Sequence, residues 1–220
     1  LPNCPQYVMA YYAILYAGGI VVNMNPLYTH DELEFMIKNT QIDFLFTFDM
    51  VLPTMGALAG ESKIKLIVTR VTDFIDGFGV STAKDLGLDA HWHHFSELLD
   101  SCQDEGLPDI PVDTEDAAVI QFTGGTTGLP KGAVLTHANL VAASMHVCLW
   151  GQSTVSMHIS PEKGAFMAII PYFHVYGNTT CLNAGFFSAS TQVMLPRFEM
   201  NELLAALARY EQISFFPAVP

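Results

Sequence analysis

The stretch Val119–Leu140, VIQFTGGTTGLPKGAVLTHANL, constrains this chain more than any other part of it. An apolar, partly β-branched run, Ala117 to Phe122, predicts a buried strand. Thr123 to Gly132 form a loop of Gly, Thr, one Pro and one Lys, and Ala133 to Leu135 predict a second short strand. Thr136 is placed to cap a helix that begins near His137.

The loop composition has a chemical meaning. Gly124, Gly125 and Gly128 let backbone N–H groups face an anion with no side chain in the way. Thr123, Thr126 and Thr127 add hydroxyls, Pro130 stiffens the exit, and Lys131 brings a point charge suited to a polyphosphate. The common P-loop, G-x-x-x-x-G-K-[ST], does not fit: counted from Gly125 its second Gly position holds Pro130, and Gly132 follows the lysine. A Gly/Thr hairpin that binds nothing is the alternative, and the Lys, Pro and threonines between two apolar strands weigh against it.

The run TGGTTGLPKG followed by LTHANL resembles the phosphate-binding signature of the adenylate-forming, AMP-binding enzymes. With PYFHVYG at 171–177 and AGGIVVNMNPLYTHDEL at 17–33, the chain is most similar to long- or medium-chain fatty-acid–CoA ligases. The resemblance implies an α/β fold of layered sheets flanked by helices, part of the large N-terminal domain of an acyl-CoA synthetase. Residues 1–112 would be its first α/β portion and 113–220 its phosphate-loop and acyl-pocket portion, with the C-terminal domain absent. It implies ATP, Mg²⁺ and coenzyme A as reactants, and a fatty acid activated as acyl-AMP before transfer to CoA. Thr123, Gly124, Gly125, Thr126, Thr127, Gly128 and Lys131 would hold the ATP phosphates, with Thr126 or Thr127 facing the magnesium of ATP-Mg. His174 would lie near the acyl carboxylate and the α-phosphate, and Tyr172, Phe173, Tyr176 and Gly177 would edge the acyl pocket. Long-chain relatives can be dimers and can touch membranes peripherally. The family's Tyr-Gly-x-Thr-Glu run, its ribose-binding Asp and its C-terminal Lys are not found in these residues. The isolated stretch is therefore expected to lack ligase turnover. From spacing alone, His174 reads instead as a buried histidine bonded to backbone.

Composition bounds the rest. The net charge of −13 belongs to the first half: 18 of the 22 acids and 5 of the 9 bases precede Ala117. An acidic surface of this kind excludes a nucleic-acid partner, which needs a basic stripe. From Gly132 to Pro196 only Glu162 and Lys163 are charged, so that span is either interior or covered by something else. Cys4, Cys102, Cys148 and Cys181 form no C-x-x-C pair and fit reduced thiols in the cytoplasm. Tyr7 to Val22 is uncharged but short, and it contains Gly18 and Gly19, which disfavours a membrane span. The start at Leu1 and the strand-like close FFPAVP suggest a piece of something longer.

Along the chain, helices are expected at Pro5–Tyr16, from Thr29 (capped, with Glu32 completing a capping box), at Pro53–Gly60, Phe95–Leu99 (capped by Ser96), Ala138–Trp150 and Met200–Tyr210. Strands are expected at Ile20–Val22, Ile42–Phe48, Ile64–Thr69, Ala165–Ile170, Thr191–Leu195 and Ile213–Phe216. Such alternation predicts an open parallel sheet. Asp73–Trp92 reads as an irregular, exposed excursion, and His91 to His94 as a polar loop, because adjacent histidines do not converge on one metal.

Overall fold

A computed structural model describes residues 1–102, 106, 109–123, 130–153 and 164–219. The phosphate-loop residues Gly124, Gly125, Thr126, Thr127 and Gly128 lie outside the described residues, together with part of the acidic linker.

Helix α1 (Pro5–Tyr16) is apolar nearly all round and carries Pro at its start, where the missing N–H costs nothing. Gly18, at a positive φ of 69°, ends the turn that follows, and β1 (Val21–Asn23) begins. Helix α2 (His30–Thr40) has the predicted capping box: the Glu32 N–H donates to the Thr29 hydroxyl at 3.4 Å, and the Thr29 N–H donates to the Glu32 carboxylate at 2.8 Å. Leu33, Met36 and Ile37, spaced along one face, are buried. Strand β2 (Phe44–Phe48), α3 (Leu52–Ser62) and β3 (Lys65–Thr69) follow as a parallel β-α-β unit.

The irregular stretch after β3 departs from expectation. Asp73 and Ser81 within it are buried, and His93–His94 form a two-residue strand, β4, parallel to β3. His94 is 2% exposed and is itself the cap of α4 (Phe95–Ser101), accepting from the Glu97 N–H at 3.4 Å. Ser96, the expected cap, is buried inside the first turn with its hydroxyl unpartnered. The reason is tertiary: Ser81 and Asp73 supply polar partners that let an imidazole enter the core.

Strand β5 (Ala117–Thr123) pairs with β1 in parallel and with β6 (Lys131–Thr136) antiparallel. Helix α5 (His137–Ser153) follows at once, capped by Thr136 through a reciprocal pair with Asn139, at 3.2 and 3.0 Å. Strand β7 (Ala165–Ala168) then leads through a turn into a broken helix: α6 (Val175–Gly177), a π-turn (Asn178–Asn183) and α7 (Ala184–Phe187). Strand β8 (Thr191–Met194), α8 (Met200–Arg209) and β9 (Ile213–Phe215) complete the described chain.

The single open sheet expected from the alternation is divided. Among the described residues there are three three-stranded sheets, β1-β5-β6, β2-β3-β4 and β8-β7-β9, and only the β5–β6 pair is antiparallel. The largest apolar cluster joins α1, β1, β5 and the β7 turn: Tyr7, Tyr11, Val21, Val119, Tyr172 and Leu182 are among its buried members. The nearly charge-free span is not all interior. Val141, Met145 and Leu149 form an exposed stripe on α5, while Leu140 and Ser144 on its other face are buried.

Candidate functional site

The hairpin comes first. Thr123 and Lys131 are the last paired residues of the β5–β6 ladder, and both are exposed. The Thr123 hydroxyl donates to the Lys131 carbonyl at 3.3 Å. Lys131 therefore opens strand β6 instead of sitting within the loop, so the ladder sets where its stem leaves the backbone. Gly132 is required for a packing reason: a Cβ there would lie 2.9 Å from Ile120 Cγ2 and 3.4 Å from the Phe122 ring. A side chain there would force Ile120 or the edge strand to shift just behind the lysine.

The second segment begins where β7 ends. His174 N–H closes a turn on the Pro171 carbonyl at 3.0 Å. Its ring Nδ1 accepts the Tyr176 N–H at 3.2 Å and so caps the broken helix. His174 is exposed, which corrects the expectation of a buried histidine, although its bond to backbone is present. An Nδ1 that accepts must lack a proton, so the neutral ring carries its proton on Nε2. Nε2 makes no hydrogen bond among the described residues. It is a donor ready for an anionic oxygen.

Gly177 fits one turn later because of close approach: a Cβ would lie 2.7 Å from the Ile170 carbonyl oxygen and nearer still to that of Pro171. Tyr176 is 37% exposed beside His174. Tyr172 is fully buried; its hydroxyl donates to Gln192 Oε1 at 3.0 Å and its ring packs 5.5 Å from that of Tyr7. Phe173 is half-buried and lines a cavity of about 620 Å³ between β1 and β2, which Tyr7, Asn23 and Ile120 also line. Of the expected acyl-pocket residues, only Phe173 lines that cavity.

What joins the two segments was not foreseen. Gln121, two residues before Thr123, donates from Nε2 to the Phe173 carbonyl at 3.1 Å. Asn23 Nδ2 donates to Gln121 Oε1 at 3.2 Å, and the Tyr7 hydroxyl reaches Asn23 Oδ1 at 2.6 Å and the Tyr172 carbonyl at 3.0 Å. Burial raises the Tyr7 phenol far above its ordinary range, so it stays a neutral donor. Asn3 holds the same backbone from the other side: its Nδ2 donates to the carbonyls of Ala168 and Ile170, and its Oδ1 accepts the Tyr172 N–H at 2.7 Å. All four residues are polar yet buried. The available signal in the sequence was a lone amide inside an apolar strand, as in AAVIQFT and IVVN.

A family model described as "AMP-binding enzyme" matches residues 1–220. The chain belongs to the AMP-binding enzymes. Within that family it is 34% identical, over 231 aligned positions, to the long-chain-fatty-acid–CoA ligase of Bacillus subtilis (strain 168), covering 100% of this chain and 40% of that one. It is 27% identical to 4-coumarate–CoA ligase 1 of Petroselinum crispum, covering 100% of this chain and 37% of the relative. The anthranilate CoA ligase AuaEII, solved with anthranoyl-AMP, shares the fold at a TM-score of 0.76 and 18% identity, over 96% of this chain and 37% of that one. This AMP-binding chain thus spans 40% or less of the relatives it is compared with.

Proposed function

We propose that the full-length protein is an ATP-dependent fatty-acid–CoA ligase. The observation that carries this reading is the Gln121–Phe173 hydrogen bond of 3.1 Å, which sets the strand entering the phosphate loop against the turn that bears His174. A carboxylate resists nucleophiles because its charge repels them and its leaving group would be oxide. The carboxylate oxygen attacks the α-phosphorus of ATP, the bond to the β-phosphate breaks, and pyrophosphate leaves. The CoA sulfur then attacks the acyl carbon, AMP leaves, and the thiol proton is released.

In this scheme Thr123 to Gly128 and Lys131 hold the β- and γ-phosphates, and the lysine offsets charge as pyrophosphate forms. His174 Nε2–H donates to an oxygen of the carboxylate or α-phosphate and brings the two into line. Phe173, Tyr176 and Gly177 edge the acyl group, with Tyr172 bracing them from the core. Mg²⁺ arrives with ATP and would neutralise phosphate charge. The residue expected to face it, Thr126 or Thr127, lies outside the described residues.

A fatty acid is favoured as substrate because the Bacillus fatty-acid ligase is 34% identical whereas the 4-coumarate ligase is 27%. An aryl carboxylate is the second reading, on the strength of that same 4-coumarate match. Pyrophosphate release by the full-length protein with octanoate, palmitate, 4-coumarate and anthranilate separates them. Fastest release with an aliphatic acid is expected, and a preference for 4-coumarate would move the assignment to aryl-CoA ligases. We also propose that the protein is cytoplasmic and takes no nucleic-acid partner. Among the described residues no helix is long and apolar enough to cross a membrane.

A further inference from the structure

The relay that links the phosphate hairpin to the histidine turn has a direction that its chemistry fixes. The Phe173 carbonyl can only accept, so Gln121 must turn its amide nitrogen toward it. Gln121 Oε1 then faces Asn23, which must present Nδ2, and Asn23 Oδ1 is left for the Tyr7 hydroxyl. Each amide has one orientation that satisfies its neighbours, and each is buried: Gln121 is 8% exposed, Asn23 5% and Tyr7 7%. Reversing either amide would set donor against donor, or acceptor against acceptor, in a low-dielectric interior.

The two ends of the relay are unlike in purpose. Asn23 and Gln121 are already held in register by the β1–β5 ladder, so their side chains are not needed to pair the strands. The Ile170–Phe173 backbone has no such ladder, since β7 ends at Ala168. It is held by side chains: Asn3 on Ala168, Ile170 and Tyr172, Tyr7 on the Tyr172 carbonyl, and Gln121 on the Phe173 carbonyl. The next residue is His174.

We infer that Gln121 is a positioning residue, which fixes the Phe173 peptide and thereby sets the imidazole of His174 relative to the Thr123–Lys131 end of the hairpin. The inference rests on the ligase reading and deepens it. It assigns to Gln121 no contact with ATP or acyl substrate; Gln121 acts through His174. Its loss changes how often carboxylate and α-phosphate are aligned and leaves the phosphate grip in place.

The test is pyrophosphate exchange by the full-length protein, with whichever carboxylate of the panel above reacts fastest, in a double-mutant cycle. Gln121→Met keeps the length and removes both bonds. It is expected to lower kcat by roughly tenfold or more with KM for ATP within about twofold, because misalignment of a positioned group by a fraction of an ångström acts on the chemical step. In a His174→Ala background the same substitution is expected to change kcat by less than about twofold, since residues acting through one another are non-additive. Full activity in Gln121→Met, or losses that multiply across the two sites, would overturn the assignment. If Gln121→Met does not fold by circular dichroism, Asn23→Ala removes the donor that orients Gln121 and makes no bond to the turn itself. Its smaller loss, about threefold, must likewise disappear when His174 is Ala. Wild-type protein that exchanges pyrophosphate with no carboxylate would instead sink the ligase reading, an outcome distinct from an active wild type whose variants fail to couple.

Discussion

Gly177 has ordinary helical backbone angles, with φ −65° and ψ −38°, so its requirement is spatial and not conformational. A methyl group would press on the carbonyls of Ile170 and Pro171, the backbone that carries His174. Gly177→Ala is expected to destabilise the protein by about 1–3 kcal/mol, as other overpacked sites do, read as a lower urea midpoint at unchanged slope. Asp73 makes the second prediction at this scale. Burial alone would raise its carboxyl, but hydrogen bonds from the Ser81 and Arg70 N–H groups and the Ser81 hydroxyl, with His94 nearby, hold it below the usual value. A depressed carboxyl stabilises the fold fully above the unfolded value, about 4, and that contribution is lost as pH falls through the lower folded value. Asp73→Asn should therefore melt well below wild type at pH 7, and the gap should narrow as the pH drops below 4. An equal gap at both pH values would contradict it. Lys131 was a candidate from the loop composition and His174 from the resemblance. Gln121, Asn23 and Asn3 stayed hidden, because a lone amide, whether in an apolar strand or ahead of a helix, names no partner until the fold supplies one.

At the scale of elements, helix starts were the most legible. Thr136 and Asn139 satisfy each other's N–H groups at the head of α5, and the sequence named that cap correctly. Thr136→Ala is expected to cost about 1 kcal/mol, seen as a lower denaturation midpoint. The cap of α4 was not legible. His94 takes the role that Ser96 was expected to fill, since β4 places the imidazole between Asp73, Ser81 and the Glu97 N–H. Short-range preference favours a serine hydroxyl at a helix start; long-range pairing with β3 decided otherwise. The π-turn at Asn178–Asn183 was not anticipated from the sequence. It admits one extra residue per turn, and Asn183 Nδ2 donates to the Asn178 carbonyl at 3.0 Å across it.

At the scale of the whole molecule, the expected single sheet is three, yet the order of elements along the chain is nearly as read. Strand periodicity reveals which segments are extended and says little about which edges meet. The stripe Val141, Met145 and Leu149 shows the same limit: absence of charge left burial and cover by another surface equally open, and the fold leaves one face of α5 exposed. Two predictions belong here. The 220-residue stretch alone is expected to form no acyl-CoA, because it spans 40% or less of the length of the ligases it resembles. Thioester formation by the purified stretch would disprove that. In the full-length protein, Lys131→Ala is expected to slow pyrophosphate exchange by about 10²–10³-fold, the usual cost of one preorganised donor, and near-normal exchange would remove the lysine from the phosphate site.

The amino-acid order alone determined what is local: most of the caps, the two strands of the hairpin, and the helical and extended segments. These follow from backbone sterics and from hydrogen bonds between near neighbours. Only the tertiary structure decided that Gln121 meets Phe173, that two amide side chains and a phenol hold a turn with no ladder of its own, and that His94 is interior. Those facts depend on contacts between residues as many as 169 positions apart, as with Asn3 and Tyr172, and no short-range preference encodes them.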